Sequence, residues 1–189
     1  EGGSILTNNK LLDKKIKILR THGIDNMKRK LWFYEMNELG FNYRISDIQC
    51  ALGISQLKKL NNFVKKRREI AKLYNKYFSN IKNFWTPNNK NNFKHAYHLY
   101  PLRIDFKKFS KSKKSLFKYL LKKKINLNVH YIPIHLQPYY KKKFGFKKGD
   151  FPISEKFYNE EISLPIYFSL KKSEIKYVAN LIINFFKKK

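Results

Sequence analysis

The chain is short of acid, of arginine and of cysteine. Only 13 Asp and Glu stand against 42 Lys and Arg in 189 residues, a formal net charge of +29. The lone cysteine, Cys50, excludes an internal disulfide and fits a reducing, cytoplasmic setting. No apolar run approaches the roughly 20 residues that span a bilayer, and no signal-peptide pattern is present. The sequence has no G-x-x-x-x-G-K-[ST], no G-x-G-x-x-G and no G-x-S-x-G. A P-loop, a dinucleotide-binding turn and a serine-hydrolase elbow therefore lack their sequence basis. His130 and His135 have no thiolate near them, and the closest carboxylates noted along the chain, Asp105 and Asp150, are distant, so no metal is expected.

What is abundant is lysine. Arg20, Arg29, Arg44, Arg67, Arg68 and Arg103 are the only arginines, although bidentate phosphate and base recognition favours the guanidinium fork. The lysines run from Lys10 to Lys189 in company with Asn, Ile, Phe and Tyr. These residues share A/T-rich codons, which points to base composition more than to a polyanion surface. A basic nucleic-acid-binding domain without catalytic activity is the alternative reading, and it requires a contiguous basic face with aromatics among the lysines. A hydrophobic content of 42% supplies the core of one domain, or of a domain plus part of another. The opening Glu1-Gly2-Gly3, without methionine, reads as a chain entered midway.

Periodicity divides the chain into elements. Ser4 to Thr7 is a short strand candidate, and Leu11, Leu12, Ile16 and Leu19 recur at helical spacing, with Gly23 suited to the helix end. An ordered aromatic loop follows from Asp25 to Tyr43. Ser46 and Gln49 form a capping box for one long helix from Ser46 to Phe78, its apolar face marked by Ile48, Leu52, Leu57, Leu60, Val64, Ala71, Tyr74 and Phe78. Cys50 falls on that face as a core filler. Asn, Pro and Lys between Ser79 and Asn92 read as a linker, which places domains at 1–79 and 80–189.

Beyond the linker, Ala96 to Ile104 reads as a strand and Ser115 to Lys124 as a helix with Leu116, Leu120 and Leu121 inward. Ile125, Leu127, Val129 and Tyr131 alternate with polar residues as in a half-buried strand. Pro152 to Glu161 is a short helix, Ile162 to Tyr167 is extended, and Ile175, Val178, Ile182 and Phe185 define a closing amphipathic helix. The second half is a compact α/β unit.

Two clusters carry chemistry. Between His130 and Tyr140, the residues His130, Tyr131, Pro133, His135 and Tyr139 bring imidazoles and phenols onto rigid backbone, a surface suited to a nucleobase or sugar; an edge strand entering a tyrosine-rich turn would look the same. Asn42 and Arg44 precede the capping residue of the long helix, where an amide, a guanidinium and helix-start donors suit a phosphate; a solvated surface turn is the alternative.

At Gly40-Phe41-Asn42-Tyr43-Arg44, Ser46-Asp47-Ile48-Gln49 and Ala51-Leu52-Gly53 the chain resembles the DegT/DnrJ/StrS sugar aminotransferases. Glu1-Gly2-Gly3 with Ile5-Leu6-Thr7-Asn8 resembles the segment after the family's cofactor-anchoring lysine, and Arg20-Thr21-His22-Gly23-Ile24 its next helix end. Trp32, Tyr34, Glu35, Met36, Leu39 and Gly40 resemble the branch making UDP-4-amino-4,6-dideoxy-N-acetyl-β-L-altrosamine, a pseudaminic acid intermediate. Val129 to Tyr140 and Gly149-Asp150-Phe151-Pro152 resemble the same branch.

The resemblance implies the C-terminal part of a fold-type-I, aspartate aminotransferase-like enzyme: the tail of its large domain plus its small α/β domain. It also implies a cytoplasmic homodimer with shared active sites, using pyridoxal 5'-phosphate, L-glutamate and a UDP-linked 4-keto-6-deoxy sugar. Asn42 would reach the cofactor phosphate of the neighbouring subunit, with Arg44 near the same anionic region, and His130 to Tyr140 would contact the nucleotide-sugar. Family members are about twice as long, and the anchoring lysine, the carboxylate facing the pyridinium nitrogen and the phosphate loop lie in the part without a counterpart here. No lysine inherits the anchoring role by motif, so the chain alone is expected not to transaminate.

Overall fold

A computed structural model describes residues 3–25, 30–87 and 93–187, and Glu1-Gly2 of the opening motif lies outside them. The chain forms two compact units, Glu1–Lys58 and Lys59–Lys189.

In the first unit α1 (Lys10–Leu19) is capped by Asn9, whose side chain accepts from the N–H groups of Leu11 and Leu12. Ser4 to Thr7, expected as a strand, has no regular structure and joins no sheet among the described residues. After α1 the chain doubles back through the bridges Thr21↔Asn42 and Ile24↔Met36. Gly23 and Gly40 face each other where these segments cross. A Cβ on Gly40 would lie 2.0 Å from the Gly23 nitrogen, and one on Gly23 would lie 1.7 Å from the Glu38 carbonyl oxygen. Only glycine permits that approach, and the φ of +73° at Gly23 asks for it as well. α2 (Asp47–Leu57) starts with the expected capping box, Ser46 and Gln49 each satisfying the other's N–H.

The long helix from Ser46 to Phe78 is two helices. α2 ends at Leu57, and α3 (Leu60–Phe78) begins after Lys58 and Lys59. Lys59, at φ −97° and ψ −8°, keeps a right-handed helical backbone and gives α3 no side-chain cap. The two compact units divide between Lys58 and Lys59, and α3 buries Ile70, Ala71, Tyr74 and Phe78 in the second. α2 buries no residue, and Cys50 is half-buried rather than a core filler.

The second unit is built on a three-stranded antiparallel sheet, order β1-β2-β3, from β1 (Phe84–Trp85), β2 (Tyr100–Ile104) and β3 (Glu161–Leu164). Tyr100 pairs with Leu164 and Arg103 with Glu161. β2 starts later than Ala96 because Tyr97, at φ +47°, leaves the extended region. The three helices α3, α4 (Lys113–Lys122) and α7 (Lys172–Lys187) contribute apolar faces to the core with the sheet residues Tyr100, Leu102, Ile104 and Ile162. Leu116 and Leu120 are fully buried as expected, but Leu121 points outward. Buried phenols are bonded: Tyr74 donates to the Pro165 carbonyl, and Tyr100 donates to Asn75 Oδ1 at 2.6 Å. Arg67 donates to the carbonyls of Tyr97, His98 and Ile166, tying two connecting segments to α3.

α4 ends in a Schellman arrangement. The Ile125 N–H donates to the Leu120 carbonyl, the Lys124 N–H donates to the Leu121 carbonyl, and Lys124 adopts φ +60°. From Ile125 to Tyr131 the expected strand reduces to one bridge, Asn128↔Ser163. The alternation is nonetheless real at its start, with Ile125 and Leu127 buried and Asn126 and Asn128 exposed.

Candidate functional site

Beyond Asn128 the chain leaves β3 and runs into a 3₁₀ turn at Ile134–Leu136 and then α5 (Pro138–Phe144), which Pro138 opens and Gly145 at φ +73° closes. α6 (Pro152–Glu160) starts with Pro152 in the same way and leads directly into β3. Between these pieces lies an open groove of about 570 Å³, within the roughly 300–1,000 Å³ typical of small-molecule sites. Four of the five expected residues line it: His130, Tyr131, Pro133 and His135. Tyr139 does not. It is exposed, its hydroxyl accepting from Lys143 Nζ, and Tyr140 lines the groove in its place. A step of one residue turns a helical side chain by about 100°, and α5 starts just ahead of the pair. Phe144, Phe146, Phe151 and Phe157 complete an aromatic wall.

Two buried carboxylates hold this groove together, and sequence reading singled out neither. Glu155, on α6, accepts from the Gly149 N–H at 2.7 Å and lies 2.9 Å from His135 Nε2. The His135 hydrogen bond, then that from Gly149, holds the Glu155 carboxyl below its usual value against the opposing effect of burial. His135 is thereby a braced wall element, with Phe151 packed on its ring at 4.7 Å. Glu161, fully buried at the start of β3, accepts from the His130 N–H at 3.0 Å and from the Ser163 hydroxyl. Ser163 Oγ is in turn 2.7 Å from His130 Nδ1. Next to it Glu160 pairs with Arg103, whose guanidinium lies over Trp85 and Phe157. The helix expected from Pro152 to Glu161 ends one residue earlier, and Glu161 opens β3 ahead of the extended piece expected from Ile162; that these carboxylates face His130 and Arg103 depends on β2–β3 pairing.

Near the same sheet Lys113 Nζ donates to the Tyr158 carbonyl. Burial lowers its pKa to about 8, partly offset by Glu161.

In the first unit Asn42 and Arg44 form a second cluster, joined by His22, which sequence reading did not select. Arg44 Nε donates to Asn42 Oδ1 at 3.2 Å, and Arg44 Nη2 lies 2.7 Å from His22 Nε2. A guanidinium has no acceptor, so His22 Nε2 accepts. These bonds fix the fork while leaving further Arg44 N–H groups and the Asn42 amide N–H₂ for a ligand. Among the described residues no three His, Cys, Asp or Glu side chains converge as a metal site.

The DegT/DnrJ/EryC1/StrS aminotransferase family model matches residues 1–183. A Campylobacter jejuni UDP-4-amino-4,6-dideoxy-N-acetyl-beta-L-altrosamine transaminase is 40% identical over 188 residues, covering 100% of this chain and 49% of the relative. An uncharacterised Methanocaldococcus jannaschii protein is 45% identical, over 96% of this chain and 49% of its own length. Among solved structures, Helicobacter pylori PseC, an aminotransferase involved in the biosynthesis of pseudoaminic acid, superposes with a TM-score of 0.85 at 33% identity, over 97% of this chain and 48% of that one. The chain spans about half the length of the curated relatives it matches.

Proposed function

The chain belongs to the DegT/DnrJ/EryC1/StrS aminotransferase family, and on that footing we propose that it is the C-terminal part of a pyridoxal-phosphate-dependent nucleotide-sugar aminotransferase. The reaction moves an amino group from L-glutamate to a UDP-linked 4-keto-6-deoxy sugar, giving UDP-4-amino-4,6-dideoxy-N-acetyl-β-L-altrosamine for pseudaminic acid synthesis. The observation that carries this reading is the aromatic groove at His130–Phe157, with a few fixed polar groups on apolar walls, in a chain whose relatives act on a UDP-sugar.

His130, Tyr131, Pro133, His135 and Tyr140 hold the nucleotide-sugar. His130 offers a hydrogen-bonding edge, and the rings enclose the base or sugar face and exclude water. The donor set of Asn42 and Arg44 fits a phosphate: an oriented guanidinium and a free amide ahead of a capped helix start. In a cytoplasmic homodimer they serve the cofactor phosphate of the partner subunit. When bound, pyridoxal phosphate supplies the electron sink for the transferred amine. Residues 1–58 belong to the large domain and 59–189 form the small one. The exposed apolar side chains of the first unit, Leu6, Leu11, Trp32, Leu39, Ile48 and Leu52 among them, find their partners in the half of the enzyme that this chain does not span.

The chain alone contributes sites but no anchoring lysine. Incubated with pyridoxal phosphate and borohydride, it should show no stoichiometric labelling and no amination of a UDP-4-keto sugar. Trace labelling should centre on Lys113, whose lowered pKa leaves more free amine near neutrality than any ordinary lysine. Full modification of one lysine together with turnover would sink the proposal.

A further inference from the structure

The His130 ring is held in the groove by a bond at Nδ1, and that bond has a direction. Glu161 is fully buried. One of its carboxylate oxygens accepts the His130 backbone N–H and the other faces the Ser163 hydroxyl. The Ser163 hydroxyl donates to Glu161 Oε1, and a hydroxyl has one proton to give. The Ser163 proton therefore points to Glu161, which leaves Ser163 Oγ a lone pair for His130 Nδ1 at 2.7 Å. Nδ1 must then carry the ring proton. The remaining nitrogen, Nε2, has a lone pair and is no buried orphan, since every buried side-chain nitrogen or oxygen among the described residues has a partner. His135, the other groove imidazole, has Nε2 committed to Glu155.

Resting on the nucleotide-sugar reading of this groove, we propose that Glu161 and Ser163 are positioning residues that fix His130 in its Nδ1–H form, so that Nε2 selects a ligand group that donates a hydrogen bond. A uracil imide, a sugar hydroxyl or an acetamido N–H meets that requirement; a carbonyl or phosphate oxygen does not. The relay thus sets which edge of the ligand faces His130. Which nitrogen of an imidazole is free is decided by the bond the other makes, and here that bond runs back through Ser163 to the buried Glu161.

The test is long-range ¹H–¹⁵N correlation on the full chain labelled in its histidine rings, in which the two tautomers give different cross-peak patterns. His130, assigned by its loss in His130→Asn, should appear in the Nδ1–H form. Ser163→Ala should abolish the dominance of that form while the amide spectrum stays native. Should Glu161→Gln unfold the chain, Ser163→Ala still decides, since it keeps the buried carboxylate. An Nε2–H ring in the parent chain, or an unchanged tautomer in a folded Ser163→Ala, overturns the relay. Titration with UDP-N-acetylglucosamine reads the other half: a shift of the Nε2 resonance supports its role as acceptor. An Nδ1–H ring with no response to that probe overturns the ligand assignment of the groove, a failure distinguishable from failure of the relay.

Discussion

Glu155 answers to two donors at once, His135 and the Gly149 N–H, and its carboxyl is held below the ordinary value of 4.5. A depressed carboxylate contributes stability that is complete above its unfolded-state pKa and lost as pH falls through the folded one. The loop around Gly149 and Phe151 should therefore loosen only below about pH 4.5, seen as Phe151 ring resonances collapsing toward random-coil positions on acid titration. In Glu155→Gln the acid step should vanish. In the complete enzyme the two clusters should fail differently. Asn42→Ala removes a bond to a charged group, about 1.5–3 kcal/mol, and should weaken cofactor retention, measured by equilibrium dialysis. His130→Ala should raise the KM for the sugar with the cofactor still bound. Four of the five residues singled out between His130 and Tyr139 line the groove. The buried carboxylates were not legible in the sequence, because Glu155 lies 20 residues from His135 and Glu161 lies 31 from His130, and only the tertiary fold brings them together.

At the scale of elements, local chemistry was readable wherever the ending is written in side chains. The Ser46–Gln49 capping box and the proline opening α6 stand where the sequence places them, whereas α5, opened by Pro138, was not expected. The gap at Lys58–Lys59 carries no glycine, proline or capping residue and shows only once α3 buries its face apart from α2. The strand expected from Ile125 to Tyr131 failed because the period-2 pattern records alternating burial, which one bridge to Ser163 is enough to produce. Lys124 closes α4 at φ +60°, a conformation that costs a side-chain-bearing residue about 1–2 kcal/mol and glycine very little. Lys124→Gly should accordingly stabilise the second unit by roughly 0.5–1 kcal/mol, read as a higher urea midpoint with an unchanged slope. A lower midpoint would mean that the lysine side chain contributes more than the backbone strain costs.

Across the whole molecule the two units differ in what holds them. The second has a core from Ile70 to Ile182, including Tyr74, Tyr100, Leu116 and Leu120 at full burial. In the first, α1 and α2 bury no residue, and helices of 10 and 11 residues are marginal in water by themselves. Amide exchange on the isolated chain should be slow in α3, α4 and α7 and fast through α1 and α2, and residues 59–189 alone should keep the slow set. Equal protection in both units would contradict this division. Lysine excess, conspicuous in the composition, determines none of this packing.

Glu155, Glu160 and Glu161, three of only 13 acidic residues in the sequence, are buried. The sequence carries a formal net charge of +29, and like charges in such excess repel one another. The molecule must therefore travel with a cloud of small anions. In dilute buffer, where the screening length reaches about 30 Å, well-separated lysines still feel one another; near 0.15 M salt, at about 8 Å, they no longer do. Its compactness is thus set partly by the electrolyte around it.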